Sequence, residues 1–284
     1  AIAALPCGSG SCRSMLGALG SALAGCARAA EGTLLSRPPP PKAAFGPQPG
    51  ERSENAPFQR PKNPTTCSPS CWQEILNATV TVLQEGGLVA VPTDTVYGIA
   101  CLAQSSQAIK NIYNLKGRNG GKPLAICLGD VEHIYRYCHV SVPEELLQDL
   151  LPGPVTLVLQ RSEGLNKDLN PLTSLVGVRI PNHPFIRELA QACSGPLALT
   201  SANFSTQAST LTVTEFRDLW PQLSLVIDGG VIGDIQSPEC RLGSTVVDLS
   251  VSGKYTIIRP GCALTPTVEI LGKKYGLTPE PSCS

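Results

Sequence analysis

The sequence is poor in the groups that carry out covalent or metal chemistry. It has three histidines, at 133, 139 and 183, and none stands at zinc spacing from a cysteine pair. Its 12 cysteines are scattered, and no Cys-x-x-Cys occurs. A structural zinc is therefore disfavoured. Thiols such as Cys101 and Cys127, set in apolar runs, read as buried free cysteines in a reducing compartment. The Gly-x-x-x-x-Gly-Lys-Ser/Thr phosphate loop is absent, as are a Gly-x-Gly-x-x-Gly between strand and helix and a Gly-x-Ser-x-Gly elbow. His139 and His183 have no evident nucleophile to serve, and no pair of catalytic carboxylates stands out. No apolar run approaches the roughly 20 residues of a membrane span.

Net charge is also missing, but only in the sum. Residues 1–65 carry seven Lys/Arg and three acids, which leaves 15 basic and 19 acidic side chains for residues 66–284. The two parts are thus +4 and −4. A mildly acidic folded part argues against an extended nucleic-acid surface, because duplex binding needs many cations on one face. A small cationic pocket stays possible.

What is present centres on Leu88 to Ala100, LVAVPTDTVYGIA. LVAVP suits a strand buried on both faces, and Pro92 removes a ladder donor and ends it. The hydroxyls and carboxylate that follow suit a ligand-facing loop, or a polar turn with Asp94 as a cap. Upstream, residues 1–65 are rich in Ala, Gly, Ser, Pro and Arg, with a Pro run at 38–41, and read as a disordered N-terminal segment. A mitochondrial-type targeting peptide and a plain tail both fit it. The stretch 12–30 could form an amphipathic helix, which favours targeting.

Residues 66–284 read as one domain. A helix from about Ser70 presents Trp72, Ile75, Leu76, Thr79, Val82 and Leu83 on one face. A second starts at Ser105 or Ser106 and ends at Gly117. Strands are expected at 124–128, 155–160, 175–180, 196–200, 224–228, 244–250 and 255–260. Helices are expected at 130–138, 143–151, 184–193, from Thr212 or Thr214 to Trp220, and over 268–275. This mixture predicts an α/β fold with a mixed sheet.

Polar residues gather where strands end. Lys116, Arg118 and Lys122 lie in one glycine-softened loop, KGRNGGK, that could surround an anion or be a plain solvated loop. Arg179 sits in the apolar strand LVGVRI and must find an anion, either a structural carboxylate or a ligand carboxylate that matches its fork. Ser201 and Asn203 end another strand, and Thr95, Ser244 and Arg259 repeat the theme. Together they suggest one shared pocket at the sheet edge.

The ordered set PTDTVYG (92–98), KGR (116–118) with KPL (122–124), LPGPVTLV (151–158), VRIP (178–181), TSAN (200–203), GSTVVD (243–248) and IIRPG (257–261) resembles the motifs of the YrdC family, the threonylcarbamoyl-AMP synthases, and its animal members in particular. The resemblance covers roughly residues 70–265. It implies a single twisted mixed sheet with flanking helices around a large concave, electropositive cavity. It implies that L-threonine, bicarbonate or CO2, and ATP become threonylcarbamoyl-adenylate and diphosphate, with Mg2+ on the nucleotide. The product would feed a separate transferase complex acting on adenosine 37 of tRNAs that read ANN codons, in the cytoplasm and the mitochondrion. By the same resemblance, Lys116 and Arg118 are the catalytic cations. Thr95, Cys127, Arg179, Leu199 and Ser244 form the threonine site. Arg118, Lys122, Ser201, Asn203, Ser209 and Arg259 form the ATP site, and no side chain is assigned to a metal. Lys122 stands where many relatives have Asn. The rival reading is a non-catalytic RNA- or nucleotide-binding module of the same fold.

Overall fold

The computed structural model describes residues 2–4, 69–117, 122–204 and 207–281. Ile2–Ala4, inside the segment expected to be disordered, forms the short strand β1. The rest of that segment, including the stretch 12–30, lies outside the described residues.

Helix α1 (Pro69–Gln84) buries Ile75, Leu76, Thr79, Val82 and Leu83, as its spacing predicts. Gly86, at φ 83°, turns the chain into β2 (Val89–Val91), which is wholly buried. The next element has no counterpart in the sequence reading. Gly98–Leu102 forms β3, antiparallel to β2, so the polar stretch after Pro92 is the tip of a hairpin rather than a strand-to-helix turn. Helix α2 (Ser106–Leu115) follows, with Ser105 Oγ capping the Ala108 N–H at 3.3 Å. β4 (Ala125–Cys127) leads to a 3-10 turn (Val131–His133) capped by Asp130, which runs into α3 (Ile134–Tyr137). A two-residue strand β5 (Cys138–His139), helix α4 (Glu144–Leu150), and the antiparallel pair β6 (Val155–Arg161) and β7 (Leu175–Arg179) come next.

Pro184 opens α5 (Pro184–Ala192), and β8 (Leu197–Ser201) follows. The helix expected up to Trp220 is a kinked 3-10 segment, Val213–Gln222. Pro221 removes a backbone donor there, and Thr212 makes no side-chain cap. β9 (Leu225–Asp228), a 3-10 turn (Pro238–Arg241), β10 (Thr245–Asp248) and β11 (Lys254–Arg259) bring the chain to α6 (Leu264–Glu269). The last expected helix thus begins earlier than its apolar spacing suggests, and it finishes as a π turn over Ile270–Lys274. β12 (Thr278–Pro279) closes the described chain.

The strands form a mixed sheet in the order β1-β9-β2-β3-β8-β4-β7-β6-β10-β11-β12, with β5 beside β6. Strand alternation sorts its side chains onto two cores. Val89, Val91, Ala100, Leu197 and Ile227 pack with α1 and α5. Ala90, Ile99, Cys101, Ile126 and Ala198 pack with α2, α3 and α4. Each of the Val, Leu and Ile side chains among them contributes about 1.5–3 kcal/mol when fully buried. α1 and α5 are joined by Trp72, whose ring meets Phe185 edge-on at 5.4 Å and whose Nε1 donates to Glu188 at 2.6 Å.

Further along the same face the sheet is lined by small residues, Gly98 on β3, Ala125 on β4 and Gly177 on β7. They leave a cavity of about 670 Å3 in place of a helix contact. Cys101, Cys127, Cys138, Cys193, Cys240 and Cys262 are free, in line with the sequence reading. Cys71 departs from it and is disulfide-bonded.

Candidate active site

The β2–β3 tip is built by its threonines. Thr93 Oγ donates to the Val96 carbonyl at 2.7 Å and accepts the N–H groups of Thr95 and Val96. This staple holds Thr95 at the cavity wall. Tyr97 is fully buried, and its hydroxyl donates to the Gly230 carbonyl at 2.7 Å and accepts the Gly229 N–H at 3.0 Å. The hairpin is thereby tied to the loop after β9.

Arg179 ends β7 and is 7% exposed. Its Nη2 donates to Asp94 Oδ1 at 2.6 Å and reaches Thr95 Oγ at 3.3 Å. Asp94 Oδ2 accepts the Asn182 N–H at 2.9 Å, which fixes the carboxylate from the other side. So the structural carboxylate exists, and it engages one guanidinium nitrogen. Arg179 also borders the cavity, and its Nε is buried without a hydrogen-bond partner. The fork is held from behind by Asp94 and has bonding capacity left.

Ser244 precedes β10 and shares a 2.8 Å hydrogen bond with Thr156 of β6. Arg259 Nη2 donates to the Ser244 carbonyl at 2.8 Å. Their closeness needs Gly261, where a Cβ would lie 2.4 Å from the Ser244 backbone. Among the described residues Arg259 has no carboxylate partner. Burial first, and then the charge of Arg179, push its pKa below the ordinary arginine value. Such a pair gains from an anion placed between them.

Lys116, at the end of α2, is buried. Its Nζ donates to the Ser201 carbonyl at 2.9 Å and to the carbonyl of Asn203. Ser201 Oγ donates to Asn203 Oδ1 at 2.5 Å. Ser209 is steadied through its carbonyl, which accepts from Arg241 at 2.8 Å, and Arg241 pairs with Glu215 at 2.7 Å.

Nine of the twelve expected site residues border this one cavity: Thr95, Lys122, Arg179, Leu199, Ser201, Asn203, Ser209, Ser244 and Arg259. Lys116 does not border it and instead braces Ser201 and Asn203 from behind. Cys127 is fully buried opposite Arg179 in the β4–β7 pair and is not among the residues bordering the cavity; burial pushes its thiol up to about 12. Arg118 lies outside the described residues. The sequence reading leaves Asp94 and Thr156 out of the site. The ordered motifs PTDT and PVTL contain them, but their partners are on distant strands. The border carries three cations and no carboxylate among the described residues, and no group of three or more His, Cys, Asp or Glu there could hold a metal. Chemically this is a receptacle for anions, with hydroxyls but no His, Cys or carboxylate among the described residues on its border.

Comparison with known proteins gives consistent results. Residues 81–261 match the Sua5/YciO/YrdC family profile, described as telomere recombination. The chain is 59% identical over 271 residues to the threonylcarbamoyl-AMP synthase of Homo sapiens, covering 94% of this chain and 96% of that one. It is 60% identical over 261 residues to the Mus musculus protein of the same name, covering 92% of each. Among solved structures, P. abyssi Sua5 complexed with L-threonine superposes with a TM-score of 0.64 at 30% identity, over 74% of this chain and 59% of that one. This chain therefore spans about three fifths of the Sua5 chain. E. coli YciO superposes at 0.60 with 25% identity, over 71% and 92%.

Proposed function

Since the chain belongs to the Sua5/YciO/YrdC family, we propose that it is a threonylcarbamoyl-AMP synthase, a transferase that joins L-threonine, bicarbonate or CO2, and ATP into threonylcarbamoyl-adenylate and diphosphate for tRNA modification. The observation that carries this reading is the pairing of a braced Arg179 with a cavity whose described border holds cations and no carboxylate. That site suits an amino-acid carboxylate at one end and a polyphosphate at the other.

The residues divide along the cavity. Arg179 takes the threonine carboxylate with its remaining N–H groups, Thr95 and Ser244 offer hydroxyls, and Leu199 supplies an apolar wall. Lys122, Arg259, Ser201, Asn203 and Ser209 take the nucleotide, joined by Arg118. The amine becomes a carbamate, whose oxygen attacks the α-phosphorus, and diphosphate leaves. Such a reaction needs alignment and charge neutralisation more than a protein base or nucleophile. Mg2+ would supply further neutralisation of the phosphates. With no carboxylate on the described border, it would travel on the nucleotide. The product would pass to a transferase complex acting on adenosine 37 of ANN-reading tRNAs, in the cytoplasm and, given the basic N-terminal segment, the mitochondrion.

The test is diphosphate release from ATP with bicarbonate, with and without L-threonine. Threonine-dependent release is expected, lost in Arg118→Ala and restored by high threonine in Arg179→Ala. No release under any condition overturns the reading. A reporter carrying residues 1–68 tests the location, and exclusion from mitochondria would overturn that part.

A further inference from the structure

Lys122, Pro123 and Leu124 form one wall of the cavity, yet they stand outside any helix or strand. Something must fix them there. Asn170, in the loop between β6 and β7, is 1% exposed and grips Leu124 at two points. Its Oδ1 accepts the Leu124 N–H at 2.7 Å, and its Nδ2 donates to the Leu124 carbonyl at 2.8 Å. The side-chain amide thus takes the place of a neighbouring strand just before β4 begins. Tyr113 of α2 completes the clamp. Its hydroxyl donates to Asn170 Oδ1 at 3.0 Å and accepts the Asn170 N–H at 3.2 Å. Asn170 is held at φ 52°, a left-handed backbone that side chains other than Asn and Asp tolerate poorly.

We propose that Asn170, locked by Tyr113, is a positioning residue that sets the nucleotide-binding wall Lys122–Leu124. The basic loop leaves α2 at Lys116, whose ammonium is tied to Ser201 and Asn203, and returns at Leu124, tied to Asn170. Tyr113 lies one helical turn before Lys116 and reaches Asn170 directly. The Lys116 end is therefore fixed to the end of β8, and the Leu124 end is fixed to α2 through Asn170 and Tyr113. Displacing the Leu124 end moves Lys122 and Pro123 relative to Arg259 and Ser209 across the cavity. Arg179 is bonded to Asp94 and Thr95 and shares none of these contacts, so the threonine end should be insensitive. The inference rests on the nucleotide assignment made above.

Asn170→Gly is the decisive variant, because glycine accepts the left-handed backbone and removes only the clamp. Calorimetric titration of wild-type and variant chains with ATP, and separately with L-threonine, reads the two ends independently of turnover. The expected result is ATP binding weakened about tenfold with threonine binding within about twofold, since misplaced contacts lose affinity steeply. Tyr113→Phe should show the same selectivity to a smaller extent. Wild-type ATP affinity in Asn170→Gly overturns the proposal and leaves Asn170 as a turn residue. An equal loss at both ends also overturns it, because it would report general destabilisation. Diphosphate release by the wild-type chain tests the synthase reading separately. A wild type that binds ATP without releasing diphosphate would sink that reading while the clamp is still measured, and a wild type that binds no ATP would sink both.

Discussion

Arg179 closes a strand whose other residues are Leu, Val, Gly and Val, and a lone charge there would be costly. Asp94 offsets that cost through one nitrogen, and it is itself held by the Asn182 N–H. Asp94 therefore does two things: it stabilises the fold, and it orients the fork so that its free edge meets the cavity. Arg179→Lys keeps the charge and loses the fork. It should raise the threonine KM by about 10–100-fold while the ATP KM holds, measured by diphosphate release at varied substrate. Asp94→Ala leaves a buried cation unpaired and should cost about 3–5 kcal/mol in denaturant unfolding. If Arg179→Lys raised only the ATP KM, the two ends of the cavity would have to be exchanged. Cys127 lies opposite Arg179 in the β4–β7 pair, and its thiol is buried two residues beyond the Ala125 that meets the cavity.

Among the elements, most strands and helices could be read from apolar spacing and caps, such as Ser105 before α2 and Asp130 before its 3-10 turn. β3 could not, because no Gly or Asn pair marks the hairpin tip, and the stapling role of Thr93 depends on the folded tip itself. The Tyr113–Asn170–Leu124 clamp is equally hidden, since Asn170 lies 57 and 46 residues from its two partners. The motifs flagged where the pocket would be, because polar residues at strand ends are a local signal. Register across the sheet then decided which of them meet it. Small residues on the strands make the floor, and this gives a prediction. Gly177 faces Ala125 on β4, and a Cβ there would lie 3.0 Å from Thr156 Cγ2. Gly177→Val places a strand-favouring side chain into the cavity. The variant should fold, with its unfolding free energy changed by about 1–2 kcal/mol, and lose most threonine-dependent diphosphate release. A well-folded, fully active Gly177→Val chain would show that the reaction does not occur over this floor.

Over the whole molecule the charges are segregated. Residues 66–284 have a net charge of −4, yet Lys122, Arg179 and Arg259 all border one cavity with no carboxylate on its described wall. An acidic body repels nucleic acid and other polyanions in general, while a concave, cation-lined site focuses its field on a ligand small enough to enter. The two substrates should feel this field unequally. ATP carries several negative charges, and threonine is a zwitterion of zero net charge. Raising salt from about 0.1 M to about 1 M shortens the screening length from about 10 Å to about 3 Å. The ATP KM should then rise roughly three- to tenfold and the threonine KM by less than about twofold. tRNA should neither compete with ATP nor bind with the steep salt dependence of a phosphate-backbone reader, because residues 66–284 carry four more acidic than basic side chains. Tight, salt-sensitive tRNA binding combined with a salt-indifferent ATP KM would reverse the assignment and favour an RNA-binding module built on the same sheet.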